Sequence, residues 1–324
     1  MRLELPGFFD LQVNGFAGVD FNARTLTDDS IDEALSRMRD GGVTRCLPTL
    51  ITSSLERFSA NARLLARHSS PAIAGIHMEG PYLSPEDGPR GAHLREHVIA
   101  ASVDDFKRRQ DAADGRIVLV TLAAEVAGAV ELIEHMVRTG VRVAIGHTAA
   151  APDQIADAVA AGATMATHLG NGCAVMLQRH PNVIWELLAT DGVVASVIVD
   201  GHHLPPSTVK AMVRAKGKTR TILVTDAVAA ASAPPGRYTV GDVVCESDRT
   251  RRVSKPGTPY LSGSSLTLDR AVANTVRFTG MPIDDVVPMA STIPAAFLGM
   301  TTVGTVTADW EPERAELSVR GVSS

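Results

Sequence analysis

With 324 residues, 45% hydrophobic and 21% charged, the chain has the composition of a globular protein with a large core. Its length suits one (β/α)8 barrel or two average domains. A net charge of −5 excludes the basic footprint of a nucleic-acid binder, and no apolar run is long enough to span a membrane.

The N-terminus carries no basic-then-apolar leader. Three widely spaced cysteines, Cys46, Cys173 and Cys245, fit a reducing cytoplasm and neither a disulfide framework nor a cysteine-based zinc site. Apolar runs then predict strands at 7–14, 44–50, 72–79, 117–125, 141–147, 165–169, 194–200 and 221–226. Helix-period segments lie between them at 28–40, 54–68, 129–139, 152–161 and 206–215, several opening on Ser, Thr, Asp or Pro. Eight such strands with crossovers predict an α/β fold, a closed parallel (β/α)8 TIM barrel. A doubly wound open sheet is the runner-up, but no GxGxxG turn follows the first strand. Residues 233–260, rich in Pro, Gly and charge, read as a hairpin insertion within a barrel unit of 1–302. Helices at 266–278 and 283–297 follow, and the tail, 303–324, holds two short strands near 305–307 and 315–319.

A barrel's active site lies where its strands end. Strand 1 ends Asp10-x-Gln12-x-Asn14 on one face, strand 3 ends at Glu79 beside His77, and strands 5 and 6 end at His147 and His168. Strand 7 runs into Asp200-Gly-His-His203 and strand 8 ends at Asp226. Taken singly, each has a plainer role: a solvated Glu, an interior His, an Asp that caps a turn. Their shared place on one rim favours a metal site, with Glu79, His147 and His168 as three ligands and room for a water, as suits catalytic zinc. Asp226 would then take and return the water's proton. His93, on the loop after strand 3, lies within reach of a substrate oxygen, although alone it reads as a surface histidine.

The chain resembles the N-acetylglucosamine-6-phosphate deacetylases of the amidohydrolase superfamily. The carrying motifs are PGFFDLQVNG (6–15), GIHMEGPYL (75–83), GAH (91–93), GHTAA (146–150), THLGN (167–171), DGHH (200–203), LVTDA (223–227), PPGRY (234–238) and LSGSSLTLDRA (261–271). The resemblance implies that Glu79, His147 and His168 bind the metal and that Asp226 is the catalytic acid/base. It implies that Ala92 and His93 bind the substrate, His93 near its amide, that His203 meets the sugar phosphate, and that Asn171 and Gly172 form the phosphate-binding turn. Leu261, Ser262 and Gly263 form a further substrate-contacting turn. Arg179 would reach the phosphate of a neighbouring subunit, which implies a homodimer.

Three departures qualify the resemblance. Gln12 and Asn14 stand where many amidohydrolases have His-x-His; an amide is a poor transition-metal ligand, so one ion is expected, with zinc, iron, manganese or cobalt able to share such ligands. Gly170, Gly172 and Cys173 alter the phosphate-binding region. The small β domain is reduced to a remnant at 303–324, which would expose apolar surface for a partner. The implied reaction is hydrolysis of the N-acetyl group of N-acetylglucosamine 6-phosphate. The competing readings are the same reaction on another N-acylated amino sugar, a cyclic-amide or peptide hydrolase, and a non-catalytic sugar-phosphate binder.

Overall fold

The computed structural model describes residues 1–258 and 260–323. Eight strands form one sheet in the order in which they follow in the chain: Phe8–Val13, Val43–Ile51, Ile76–Glu79, Ile117–Leu122, Arg142–Ile145, Met165–Ala166, Val194–Val197 and Thr221–Leu223. Every neighbouring pair is parallel. The last strand returns to the first through a parallel bridge, Val13 to Ala227, and through Asp226 N–H donating to the Gln12 carbonyl at 2.9 Å. That closure makes the sheet the expected (β/α)8 barrel.

The helices form for reasons visible in their sequences. Asp28–Asp40 is capped by Thr27, whose hydroxyl accepts from Ser30 N–H while Ser30 reaches back. Ala129–Arg138 buries Ala129, Leu132, Ile133 and Met136, one stripe at helical spacing. Full burial of such side chains contributes about 1.5–3 kcal/mol each. Pro152 opens the helix Pro152–Ala160, where an amide hydrogen would have no partner in any case.

Two crossover helices escaped the sequence reading. Val103–Ala112 is mostly charged and buries little beyond Asp105, Phe106, Arg109 and Ala112; Val183–Ala189 is only two turns long. The single helix expected over 283–297 is broken into Ile283–Val286, a 3-10 turn Val287–Ala290 and Thr292–Phe297. Pro288 has no amide to continue the ladder, and Ser291, at φ −139° and ψ −82°, leaves helical space.

The insertion after the eighth strand is a hairpin, Gly236–Val240 against Val243–Ser247, with Val253–Ser254 as a third strand. Its inner face shares a small apolar cluster with Ala92 and Leu94, on the loop after the third barrel strand. The tail strands are longer than expected, Thr305–Glu311 and Glu316–Ser323, and Arg2–Pro6 pairs with the first of them. Among the described residues of this three-stranded sheet no large hydrophobic side chain is exposed, although Met1 and Val303 beside it are. Leu5, Val306, Ala308, Trp310 and Leu317 are buried, while Arg2, Glu4 and Glu311 point to solvent. The described strands themselves therefore present none of the exposed apolar surface expected there.

Candidate active site and metal centre

Three strand ends bring Glu79, His147 and His168 to one buried point. Glu79 Oε1 lies 3.1 Å from His168 Nε2 and 3.3 Å from His147 Nε2, and the two imidazole nitrogens are 3.1 Å apart. Ligands 2.0–2.1 Å from a tetrahedral zinc stand about 3.3 Å apart, so the three atoms already have the spacing of a coordination shell. His147 and His168 sit just beyond their strands with φ of +51° and +29°, and Asp226 follows the same pattern at +48°. Residues without glycine's freedom in that region mark a site where position outweighs backbone comfort.

The protons define what this point attracts. His147 Nδ1 donates to the Pro89 carbonyl at 2.9 Å, which leaves a lone pair on Nε2. That lone pair faces the Glu79 carboxylate and the His168 ring, an arrangement that requires a positive charge between them. Burial pushes the Glu79 carboxyl up, but the two imidazoles beside it outweigh burial and hold it well below the usual range. His168 is pushed down by burial and raised more strongly by Glu79. A divalent cation satisfies the same three atoms without the proton.

The His147 ring lies between two glycines. A Cβ on Gly172 would stand 2.9 Å from its Nδ1, and one on Gly91 3.0 Å from its Cε1, both at positive φ. Gly172, one of the departures from the family pattern, thus lies close against the His147 ring. Its carbonyl also accepts from Thr148 N–H at 3.1 Å.

Across the site stands Asp226. Its Oδ1 accepts from Asn14 Nδ2 at 2.7 Å and from Gln12 Nε2 at 3.2 Å, and Gln12 Nε2 also donates to Glu79 Oε1 at 2.8 Å. Oδ2 is left for other chemistry. Burial, followed by the charge of Glu79, pushes the Asp226 carboxyl up to about 6. His93 Nε2 lies 3.3 Å from His147 Nε2 and 3.9 Å from Glu79 Oε2, and burial, then His147, pushes its basicity down to about 3. It is a neutral imidazole at the mouth of the ligand set.

The remaining expected residues divide. His203 is held by Asp200 on the loop that leaves the seventh barrel strand, at the same rim. Asn171 turns its amide back to the His168 carbonyl at 3.1 Å. Ala92 packs beneath the hairpin. Ser262 is buried with an unpartnered hydroxyl, and Gly263, at φ +69°, lies where a Cβ would strike Val228. Arg179 is not brought to this site: it is exposed on the loop between the sixth strand and Val183–Ala189.

Sequence reading missed the supports. Alternation had placed Gln12 and Asn14 on the right face, but not their donation to Asp226. Asp10 accepts from Thr225 N–H and Gln12 N–H at 3.2 Å and from the Thr225 hydroxyl, which clasps the first strand to the eighth. No spacing in the sequence pointed to that pair or to the Pro89 carbonyl.

A barrel rim with this ligand set and a facing acid defines the class of metal-dependent hydrolases. The model of the Amidohydrolase family matches residues 4–312. N-acetylglucosamine-6-phosphate deacetylase of Lysinibacillus sphaericus is 30% identical over 95% of this chain and 80% of its own length. N-acetylgalactosamine-6-phosphate deacetylase of Escherichia coli O157:H7 is 32% identical over 93% and 80%. Among solved structures, a mutant of N-acetyl-D-glucosamine-6-phosphate deacetylase from Mycobacterium smegmatis, in complex with N-acetyl-D-glucosamine-6-phosphate, superposes with a TM-score of 0.91 at 30% identity, over 98% of this chain and 85% of that one. The chain belongs to the amidohydrolase family, within its branch of N-acetylglucosamine-6-phosphate deacetylases.

Proposed function

We propose that this protein hydrolyses the N-acetyl group of N-acetylglucosamine 6-phosphate, giving glucosamine 6-phosphate and acetate. The observation that carries the reading is the pairing of the Glu79–His147–His168 shell with an acid whose one oxygen is pinned and whose other is free. A divalent cation held by those three residues would acidify water and polarise the acetyl carbonyl; zinc suits the donor set, and iron, manganese or cobalt also fit.

The chain's own residues account for the proton and for the developing charge. Asp226 Oδ2 takes the proton of the attacking water while Asn14 and Gln12 hold Oδ1 still. It then gives that proton to the departing sugar nitrogen, so the amine leaves neutral. His93, kept neutral by burial, donates N–H to the carbonyl oxygen as negative charge develops, an effect worth roughly 3–4 kcal/mol for a well-placed donor. His203, Asn171, Gly172 and the turn Leu261–Ser262–Gly263 would hold the sugar phosphate.

Arg179 would complete that subsite from a second copy of the chain. Its exposed loop carries Val175 and Met176, 77% and 87% exposed, which suits an interface between copies. No helix among the described residues is long and apolar enough to cross a membrane. Its cysteines are free thiols, and we assign the protein to the cytoplasm.

Relatives that act on N-acetylgalactosamine 6-phosphate support a second reading, the same hydrolysis on the epimeric sugar. Acetate release from N-acetylglucosamine 6-phosphate, N-acetylgalactosamine 6-phosphate and unphosphorylated N-acetylglucosamine, with metal content measured on the same sample, tests both. The expected result is fastest turnover of the first. Preference for the second selects the epimer, and no acetate from any of them removes the proposal.

A further inference from the structure

The loop that leaves the seventh barrel strand holds an acid outside the catalytic set. Asp200 Oδ1 accepts from the backbone N–H of both His202 and His203 at 2.8 Å, while Oδ2 receives His203 Nδ1–H at 2.7 Å. Both side chains are nearly buried, 9% and 7% exposed. All three hydrogen bonds serve one end: they fold the loop back on itself and fix the plane and the proton of a single imidazole. Among the described residues its other nitrogen, Nε2, has no hydrogen-bond partner, and it is not fully buried. His202 Nε2 lies 3.1 Å from the Thr250 carbonyl of the insertion, which ties down the outer side of the same turn.

We propose that Asp200 is a positioning residue for recognition of the sugar phosphate. It holds the proton on His203 Nδ1 and thereby leaves on Nε2 a lone pair that accepts from a hydroxyl of the sugar phosphate, a bond that a proton on Nε2 would remove. The inference rests on the deacetylase reading of the site. It goes beyond that reading by assigning the orientation of His203 to a residue that never touches the substrate.

Asp200→Asn separates this role from a merely structural one. The amide oxygen of Asn can still accept from the two backbone N–H groups, so the turn keeps its shape. Its NH2 group, however, faces Nδ1 and demands a lone pair there, which drives the proton to Nε2. The experiment is 15N NMR of histidine-labelled protein together with steady-state kinetics, on wild type, Asp200→Asn, His203→Gln and the double variant.

In the wild type the His203 signal should show the proton on Nδ1, and in Asp200→Asn it should move to Nε2. KM for N-acetylglucosamine 6-phosphate should rise about tenfold or more in Asp200→Asn, with kcat within about threefold of wild type. Asp200→Asn should add nothing in the His203→Gln background, since its whole effect passes through that ring.

A His203 tautomer unchanged by Asp200→Asn would overturn the proposal. So would a fall in kcat at constant KM, or additive effects in the double variant. The NMR result needs no substrate, so it judges Asp200 even if the wild type releases no acetate, the outcome that would instead remove the deacetylase reading.

Discussion

The two halves of the barrel rim use hydrogen bonding in opposite senses. On the side of the third, fifth and sixth strands, a carboxylate oxygen and two imidazole nitrogens converge, and Pro89 has taken the only proton of His147 away from the meeting point. On the side of the first and eighth strands, a carboxylate oxygen meets the N–H groups of Asn14 and Gln12. The first half has electron pairs in excess and calls for a cation. The second gives its carboxylate oxygen two neutral N–H donors, while among the described residues the amide oxygens of Gln12 and Asn14 are buried without a partner. Gln12 links them by donating to both carboxylates, so one residue keeps Asp226 and the Glu79–His147–His168 cluster in register. One ion, not two, is the expectation because the amides of Gln12 and Asn14 are poor transition-metal ligands.

The contrast breaks most visibly if the electron-rich half is neutralised. Glu79→Gln removes the one formal negative charge of the shell and should abolish tight metal binding, with kcat/KM down by roughly 10³-fold or more. Metal analysis after dialysis, alongside acetate release, checks it. Full metal occupancy in that variant would mean that the three residues are not the ligands.

Asp226→Asn probes the other half. The neutral amide still fits between Asn14 and Gln12 after a flip, yet it has no site for a transferred proton. A drop in kcat of about 10²–10⁴-fold with metal content unchanged is expected. Loss of metal in parallel with activity would instead make Asp226 a ligand.

Exchanging the donors for acceptors sharpens the comparison further. Gln12→His together with Asn14→His puts two lone-pair nitrogens beside Asp226 and recreates the His-x-His pattern. Bound metal per chain should rise from about one equivalent towards two. A ratio that stays at one would show that something besides these two amides limits the site to a single ion.

Much of this was legible in the chain because a barrel turns sequence order into spatial order. Glu79, His147, His168 and Asp226 stand at the ends of apolar runs, and the ends of barrel strands meet, so four positions read along the sequence gave one place in space. Asp28–Asp40 was equally open to reading, since its cap and its apolar stripe are local. The supports were hidden because each depends on a contact across the barrel: Asp10 with Thr225, Gln12 with Glu79, Pro89 with His147. Gly172 looked like a doubtful departure until the ring beside it was in view. Val103–Ala112 was missed because its charged residues mask a narrow buried stripe.

Asp10 yields the smallest effect and the one with the clearest sign. Burial pushes its carboxyl up to about 7, against hydrogen bonds from Thr225 and Gln12 that favour the ionised form. In the unfolded chain it ionises near 3.9. Below that pH both states are neutral at this position and its contribution to stability is complete. As pH rises from about 4 to 7 the unfolded chain ionises freely while the folded one resists, so stability is lost across that window, by at most about 4 kcal/mol. Asp10→Asn cannot ionise. Its amide oxygen can take the two backbone N–H groups, and its NH2 can donate to the Thr225 hydroxyl, which then turns towards the Gln12 carbonyl 3.2 Å away. Urea unfolding of both proteins should give similar stabilities near pH 4.5 and an advantage to Asp10→Asn that grows up to pH 8. Comparing the two proteins at each pH cancels the titration of every other group, including the metal shell. A difference that does not change with pH would mean that Asp10 is already ionised in the folded barrel and that its clasp on Thr225 is held by charge.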